Sequence, residues 1–301
     1  MMKKITRGYF TGERALYHTD NLEICDSLFE NGESPIKECH DIDLIRCEFK
    51  YKYPIWYSNN INVYDSKFDI MSRSGLWYAK DVLFNNVLID APKLFRRCEN
   101  IVLKNATFND ASETLWNTKN IKIMDSQASG DYFLFNSKDI IVNDSKLSGN
   151  YIGLNCENID FKNVQVDGNY CFDGASNILI DNCVFNSKDS FWNTKNVTIR
   201  NAKIVGEYLG WNSQDLTLID CEIESNQGLC YINNIRMINC KLINTDLCFE
   251  LCENVDANIL SDVISIKNPK SGIIKARKIG KLILDKDLID LELVEVRSNE
   301  I

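Results

Sequence analysis

Apolar and polar residues alternate in a short phrase that recurs along the whole chain. In its clearest form, at Asn60, the Asn is followed by apolar residues one and three positions later, Ile61 and Val63. Alternation with a period of two predicts a β-strand. Thirteen copies open on Asn or Asp at intervals of 19 to 21 residues, namely Asn21, Asp41, Asn60, Asp81, Asn100, Asn120, Asp139, Asn158, Asn177, Asn196, Asp215, Asn234 and Asn254. Such a period indicates one structural unit stacked many times.

Each unit contains three short strand signals separated by turn signals. A second Asp or Asn follows the opening residue by five positions, as Asp65 follows Asn60, and marks the end of the first strand. A small residue and then a larger apolar one, such as Ser66 and Phe68, predict a second strand after a bend. A turn that often contains Gly and then Tyr, as at Gly168 and Tyr170, precedes the third segment. These features together predict one rung of a parallel β-helix.

The repeat resembles that of a known superfamily. The motifs that carry the resemblance are the Asn-Ile-x-Ile-x-Asp-Ser units and the segments from Leu115 to Asn120 and from Phe191 to Asn196. They resemble the right-handed parallel β-helix of the pectin-lyase-like superfamily, over roughly residues 20 to 260. Within it, the chain is similar to a bacterial family known only as a domain of unknown function. The resemblance therefore implies a fold and no established activity.

We expect one all-β domain over residues 1–301, a single-stranded right-handed parallel β-helix of about 13 rungs. Residues 1–20 lack the repeat and are predicted to form an N-terminal cap, and residues 21–260 form the rungs. Residues 261–301 are predicted to form an irregular last rung and a C-terminal cap. Capped ends are expected because a terminal rung would otherwise expose apolar surface and strand edges.

Charge and leader signals limit the compartment and the partners. The net charge of −9 opposes general electrostatic binding to nucleic acid or anionic lipid. The first ten residues carry Lys3, Lys4 and Arg7 with no apolar run behind them, so neither a secretory signal nor a membrane segment is expected. We therefore expect a cytoplasmic protein with no nucleic-acid or membrane partner, whose oligomeric state the sequence leaves open.

The cysteines are expected to be reduced packing residues. Eight of the twelve fall in two repeat columns that otherwise hold mostly Ser, Ala, Thr or Val, namely Cys47, Cys183, Cys221 and Cys240 in one and Cys39, Cys98, Cys156 and Cys252 in the other. A position that exchanges with Ser and Ala indicates a small buried side chain rather than a bridge. Cys248 and Cys252 lack a matching second pair, so no metal site is expected, and no cofactor is implied.

All five tryptophans occupy one column, four positions before the opening Asn or Asp: Trp56, Trp77, Trp116, Trp192 and Trp211. Arg96, Asp173 and Glu250 share this column, whereas the preceding column is almost entirely apolar. Because a buried unpaired charge is costly, the preceding column is the better candidate for the core. One hypothesis places the tryptophans outside as a ligand surface that includes Arg96. The alternative places them in the core, with the charged members in local bulges.

A tyrosine column lies three positions before the tryptophans and includes Tyr151 and Tyr170. Stacked tyrosines stabilise a solenoid turn without any further role. The functional alternative places Tyr151 and Tyr170 in a shallow groove with Asp173 and Asp189, two candidates for acid and base catalysis on a glycoside. The Gly-His-Gly and Arg-x-Lys strings of hydrolases with this fold do not occur in the chain.

The sequence thus favours a non-catalytic rod that binds glycans or serves as a scaffold, with an oligosaccharide as the expected partner. The first alternative is a carbohydrate-active enzyme, either a glycoside hydrolase or a polysaccharide lyase. The second is a platform for protein interactions. Whether the protein is an enzyme is left open, because no catalytic motif decides between these three.

Overall fold

The protein is an all-β parallel solenoid, as the repeat predicts. The structure, a computed structural model, describes residues 2–298. Within that range it contains strands, turns and two short 3₁₀ helices, Ile70–Ser72 and Leu291–Leu293. No helix in the described part of the chain is long and apolar enough to cross a membrane. The fold class predicted from the sequence is confirmed.

The chain divides into two compact units, Met1–Gly149 (unit 1) and Asn150–Ile301 (unit 2). The first sheet of unit 1 is built from Lys3–Thr6, Asp20–Cys25, His40–Ile45, Asn59–Tyr64, Lys80–Asn85, Glu99–Lys104, Lys119–Met124 and Lys138–Asn143. That of unit 2 is built from Glu157–Lys162, Ser176–Asp181, Lys195–Arg200, Gln214–Ile219, Asn233–Ile243, Glu253–Lys267, Gly272–Ile283 and Val294–Ser298. In each unit, consecutive strands of this sheet pair in parallel.

A second sheet packs behind the first. In unit 1 it consists of Tyr9–Thr11, Leu28–Glu30, Glu48–Phe49, Lys67–Phe68, Leu88–Ile89, Thr107–Phe108, Gln127–Ser129 and Lys146–Ser148. In unit 2 it consists of Gln165–Asp167, Val184–Asn186, Lys203–Gly206 and Glu222–Ser225, after which the long strand Asn233–Ile243 continues it. A small third sheet in unit 1 contains Ile36–Lys37, Ile55–Trp56 and Leu76–Trp77.

The solenoid has about 16 turns rather than the 13 expected from the sequence. Residues assigned to an N-terminal cap form a rung, because Lys3–Thr6 pairs in register with the strand from Leu22 to Cys25. At the other end, Gly272–Ile283 and Val294–Ser298 add two rungs where one irregular rung was expected. The sequence missed these turns because their opening residues differ from the repeated Asn or Asp. That the two units form one domain stays a prediction.

The core follows from parallel pairing in register. Ile61 lies beside Val82 and Val63 beside Phe84, so that each inward residue packs against its equivalent in the next rung. In unit 1 the rings of Phe29, Phe49 and Phe68 stack at centroid distances of 4.5 and 4.6 Å. Burial of these columns supplies the main stabilisation, as expected for apolar area removed from water.

Each repeated Asn or Asp is the second residue of a first-sheet strand and has a left-handed backbone. Asn177 and Asn196 have φ values of 56° and 54°, a region that Asn tolerates better than most residues. Their amides form a ladder, in which Asn196 Nδ2 donates to Asn177 Oδ1 and Asn177 Nδ2 to Asn158 Oδ1, each at 2.9 Å. The ladder exists because stacking places identical amides one strand spacing apart.

The small-residue columns satisfy backbone groups where the chain turns. Ser66 Oγ accepts a hydrogen bond from the N–H of Cys47 at 2.9 Å and donates to the carbonyl of Tyr64 at 2.6 Å. Cys183 Sγ lies 3.3 Å from the carbonyl of Asp181, in the same geometry. All twelve cysteines are buried free thiols. Ser and Cys therefore interchange because both fit a tight site and both donate to a carbonyl.

Candidate functional site

The tryptophan column lies on the outer side of the wall. The preceding column, which includes Ile55, Leu76, Leu115 and Phe191, is fully buried, while all five indoles are partly exposed. At Ile55–Trp56 and Leu76–Trp77 the chain is extended, and successive side chains of an extended segment point to opposite faces, so each buried residue places the following indole outside. The structure thus answers the question that the sequence left open: the column faces outward, and Arg96 and Asp173 lie there without entering the core.

Four of the five indoles donate hydrogen bonds to backbone carbonyls at this surface. Trp56 Nε1 donates to the carbonyl of Ser74 at 2.7 Å, Trp116 Nε1 to Tyr132 at 3.0 Å and Trp192 Nε1 to Tyr208 at 3.0 Å. Each bond reaches a turn of the following rung. A ring held in this way loses little further freedom when a ligand binds, which favours affinity.

In unit 1 the exposed rings stack along the column. Trp56 and Trp77 have centroids 5.1 Å apart and planes 8° apart, and beside them Tyr57 and Tyr78 stack at 4.9 Å. The faces of these indoles therefore cover one another, and their edges face solvent. Arg96 interrupts the stack, its Cζ lying 5.4 Å from the Trp77 centroid and 4.2 Å from that of Trp116. This arrangement is a cation–π contact on both sides of one guanidinium.

A cleft of about 300 Å³ opens where Arg96 interrupts the aromatic stack. We call it the arginine cleft, and it is lined by Trp77, Tyr78, Arg96, Arg97, Trp116 and Asn117. Arg97 is exposed and donates from Nη1 to the Tyr78 hydroxyl at 3.1 Å. The cleft therefore combines aromatic walls with two guanidinium groups, a tyrosine hydroxyl and an amide.

The arginine cleft carries excess positive charge. Arg96 Nη2 forms an ion pair with Glu113, whose carboxylate also lies 3.3 Å from Lys93 Nζ. One carboxylate thus faces two cations, and Arg97 adds a third positive charge at the cleft. The whole chain has a net charge of −9, so this concentration of positive charge is local. Such a cleft attracts groups that accept hydrogen bonds and carry negative charge.

Unit 2 contains a second aromatic cluster with a more open geometry. The planes of Trp192 and Trp211 are 37° apart with centroids at 5.8 Å, and Trp211 contacts Tyr231 at 4.9 Å. Tyr170 meets Trp192 edge to face at 5.6 Å and stacks on Tyr151 at 4.9 Å. The two predicted tyrosines therefore adjoin the predicted tryptophans in this unit. The tilted indoles do not cover each other's faces as fully as the stacked pair in unit 1.

The two carboxylates suggested as catalytic have different surroundings. Asp173 is partly exposed and accepts a hydrogen bond from Asn193 Nδ2 at 2.8 Å. Asp189 is only 4% exposed, and its Oδ1 has no hydrogen-bond partner among the described residues. Burial raises the pKa of Asp189, and a hydrogen bond with Tyr170 opposes that rise. Asp189 is thus a buried member of the tyrosine column, one repeat after Tyr170, and does not lie at the surface where a substrate would sit.

The sequence analysis missed several residues of the site. Tyr57, Tyr78, Arg97 and Asn117 occupy the column directly after the tryptophans, and all four have a left-handed backbone. Aligning the rungs shows this column, but Asn fills many of its positions in the chain, so its composition gives no signal of a binding role. The pairing of Arg96 with Glu113 was also missed, because the two residues belong to different columns in adjacent rungs.

Three solved structures align with the chain at low identity and with low TM-scores. The structure of PfbA, a surface adhesin of Streptococcus pneumoniae, is 12% identical, with 88% of this chain and 68% of that chain covered and a TM-score of 0.25. The Azotobacter vinelandii mannuronan C-5 epimerase AlgE4 A-module is 9% identical, with 98% and 89% covered and a TM-score of 0.28.

The catalytic domain of a GH87 alpha-1,3-glucanase in complex with tetrasaccharides is 10% identical, with 99% of this chain and 64% of that chain covered and a TM-score of 0.26. At these values none of the three structures bears on what this protein binds. No curated protein matches the sequence. A family profile matches residues 3–153 and again residues 134–297, which together span nearly the whole chain. The chain belongs to the family described as "Protein of unknown function (DUF3737)".

Proposed function

We propose that this protein binds an oligosaccharide without catalysing its breakdown, and that the solenoid is the rigid scaffold for that surface. The arginine cleft is the observation that supports the proposal. It brings rigid aromatic side chains and several hydrogen-bond donors together at the outer surface of one unit. Sugars are recognised by this combination, because their rings offer apolar C–H faces and their rims offer hydroxyl groups.

The charge of the cleft favours an acidic sugar residue. The guanidinium of Arg97 has a fork geometry that matches a carboxylate, and its charge is not neutralised by Glu113, which pairs with Arg96. Tyr78 fixes Arg97 in place through the hydroxyl contact at 3.1 Å. A neutral sugar would retain the aromatic contacts and lose the charge-assisted bond. We therefore expect an oligosaccharide with carboxylate groups to bind more tightly than its neutral counterpart.

The test is a calorimetric titration of the intact protein with matched acidic and neutral oligosaccharides. Loss of one charge-assisted hydrogen bond costs about 1.5 to 3 kcal/mol, so Arg97→Ala should weaken binding of the acidic oligosaccharide roughly 10- to 100-fold. Arg97→Lys should recover only part of the loss, because Lys lacks the fork. Trp116→Ala should weaken both ligands by removing the aromatic wall.

Trp56→Ala is the matched control. Trp56 belongs to the same outward column and makes the same kind of indole-to-carbonyl hydrogen bond, yet it does not line the arginine cleft. Its replacement should leave both affinities within about twofold of the unchanged protein, about 0.4 kcal/mol. The proposal fails if no oligosaccharide binds, or if Trp56→Ala and Trp116→Ala weaken binding equally.

The buried position of Asp189 is the reason for proposing binding without catalysis. A general acid must reach the atom to which it gives its proton, within about 3 Å or through one water molecule. Asp189 is 4% exposed and makes a hydrogen bond with Tyr170. An enzyme that used Asp189 would therefore need to uncover it. Release of reducing sugar or of an unsaturated product during the titration would support catalysis instead.

We also propose a cytoplasmic location, supported by twelve buried thiols that are not joined in bridges. Rapid alkylation of freshly lysed cells, followed by measurement of the protein's mass after denaturation, tests this. All twelve cysteines should be alkylated only after denaturation. Recovery of the protein in an extracytoplasmic fraction would contradict the location.

A further inference from the structure

Arg96 carries a hydrogen-bond donor that no described residue satisfies. Its Nε is buried and has no hydrogen-bond partner among residues 2–298. A buried charged donor without a partner is costly, so an unsatisfied donor in a binding cleft indicates where an acceptor is expected. Arg96 lines the arginine cleft. The free Nε therefore marks a hydrogen bond that a bound ligand can add.

Another ion pair in unit 1 shows the geometry of a complete guanidinium–carboxylate pair. Arg46 donates from Nε to Asp26 Oδ1 at 2.6 Å and from Nη2 to Asp26 Oδ2 at 3.0 Å. Arg96 donates to Glu113 from Nη2, while its Nε, on the same edge of the guanidinium, stays unpaired. A bidentate pair is stronger than a single hydrogen bond. Glu113 therefore holds this edge with one of the two hydrogen bonds that a well-placed carboxylate makes.

Glu113 also has a second cation within reach. Its carboxylate lies 3.3 Å from Lys93 Nζ, and its side chain is 31% exposed. If Glu113 left Arg96, it would keep its ion pair with Lys93. Arg96 is held independently of Glu113, because its Cζ lies 5.4 Å from the Trp77 centroid and 4.2 Å from that of Trp116. These cation–π contacts keep the guanidinium in place when its carboxylate partner changes.

We propose that Glu113 is a built-in competitor for the acidic group of the ligand. In the free protein the carboxylate of Glu113 occupies Arg96. On binding, a carboxylate of the ligand takes Nε and Nη2 of Arg96 together, and Glu113 pairs with Lys93 alone. Because one carboxylate accepts about four hydrogen bonds, it can bond Arg96 and Arg97 at once.

This inference rests on the proposed binding of an acidic oligosaccharide and adds to it a residue that sets specificity. A neutral sugar has no charge with which to displace Glu113, so its affinity should not depend on that residue. An acidic sugar must displace Glu113, so Glu113 limits how strongly the cleft prefers acidic over neutral ligands.

The first experiment compares Glu113→Gln with the unchanged protein in calorimetric titrations of the matched acidic and neutral oligosaccharides. Removing the competitor should tighten binding of the acidic oligosaccharide by about fivefold, the factor that corresponds to one partly exposed ion pair. The affinity for the neutral oligosaccharide should stay within about twofold. Glu48→Gln is the matched control, because Glu48 pairs with Lys50 at 3.4 Å and does not line the cleft. It removes the same charge and should leave both affinities unchanged.

The second experiment is a double-mutant cycle with Lys93. In the unchanged background, Lys93→Gln should weaken binding of the acidic oligosaccharide by about fivefold, because Glu113 loses the cation that receives it. In the Glu113→Gln background, the same change should weaken binding by less than about twofold. An equal loss in both backgrounds would overturn the exchange, since it would show that Lys93 acts on the ligand directly. Circular dichroism and the melting temperature verify that each variant is folded.

The outcomes separate this inference from the function on which it rests. A protein that binds neither oligosaccharide refutes the proposed function. If the unchanged protein binds the acidic oligosaccharide and Glu113→Gln binds it no more tightly, the competitor role of Glu113 is refuted and the proposed function stands.

Discussion

The asparagine ladder allows a test that separates backbone conformation from side-chain bonding. Asn177 has a φ of 56° and takes part in two amide hydrogen bonds, to Asn158 and from Asn196. Replacing it by Ala removes both bonds, which are exposed and contribute about 0.5 kcal/mol each. It also places an ordinary side chain in the left-handed region, at about 1 kcal/mol. The free energy of unfolding should therefore fall by about 2 kcal/mol for Asn177→Ala.

Asn177→Gly removes the same two hydrogen bonds, but Gly adopts the left-handed backbone without steric strain. We expect it to lower the free energy of unfolding by only about 1 kcal/mol, and thus to be more stable than the Ala variant. Asn62 supplies the matched control, because its amide donates to Asp43 Oδ1 at 2.8 Å, within the extended strand Asn59–Tyr64. There the order should reverse, with Gly less stable than Ala by about 0.5 to 1 kcal/mol.

Equilibrium unfolding in urea gives the free energy of unfolding of the four variants, Ala and Gly at positions 177 and 62. The slope of that free energy against urea concentration is compared between variants. A solenoid can unfold in parts, so coincidence of fluorescence and circular dichroism transitions must be verified first. If Ala and Gly at position 177 are equally stable, the left-handed backbone contributes nothing and the reasoning is refuted. The same conclusion follows if the order of Ala and Gly is the same at Asn62 and Asn177.

Three further predictions concern single side chains. Asp189→Asn should stabilise the protein at neutral pH. Because burial raises the pKa of Asp189, the unchanged protein loses stability as the pH rises from the ordinary pKa of Asp through the raised pKa. The variant should not lose stability there, and melting temperatures measured across that pH range test this. Trp192→Ala should cost about 2 kcal/mol, less than the roughly 3 to 5 kcal/mol for a fully buried aromatic ring, since Trp192 is only partly buried; native tryptophan fluorescence should accordingly be quenched by acrylamide, and weak quenching would contradict the outward column. Burial raises the pKa of the Cys98 thiol to about 12, so Cys98 should resist alkylation at neutral pH until the protein unfolds, and fast labelling of Cys98 in the native state would show that its site opens.

The fold could be predicted from the sequence because a solenoid repeats its contacts. Each strand pairs with the equivalent strand of the next rung. The recurrence of apolar residues such as Ile61 and Val63 at a fixed spacing therefore predicts which residues contact each other. The prediction was wrong where the repeat is not visible. Lys3–Thr6 and Val294–Ser298 form rungs without an opening Asn or Asp, and only pairing with the neighbouring strand identifies them.

The sequence by itself determined the strand period, the core columns and the alignment of the five tryptophans. It also placed Arg96 among them, since a column is a property of spacing alone. Only the tertiary structure decided what the columns do, because contacts between rungs depend on side-chain direction. It placed the indoles outside, inserted Arg96 between Trp77 and Trp116, and buried Asp189. The arginine cleft arises from three successive rungs, and no single repeat contains the groups that form it.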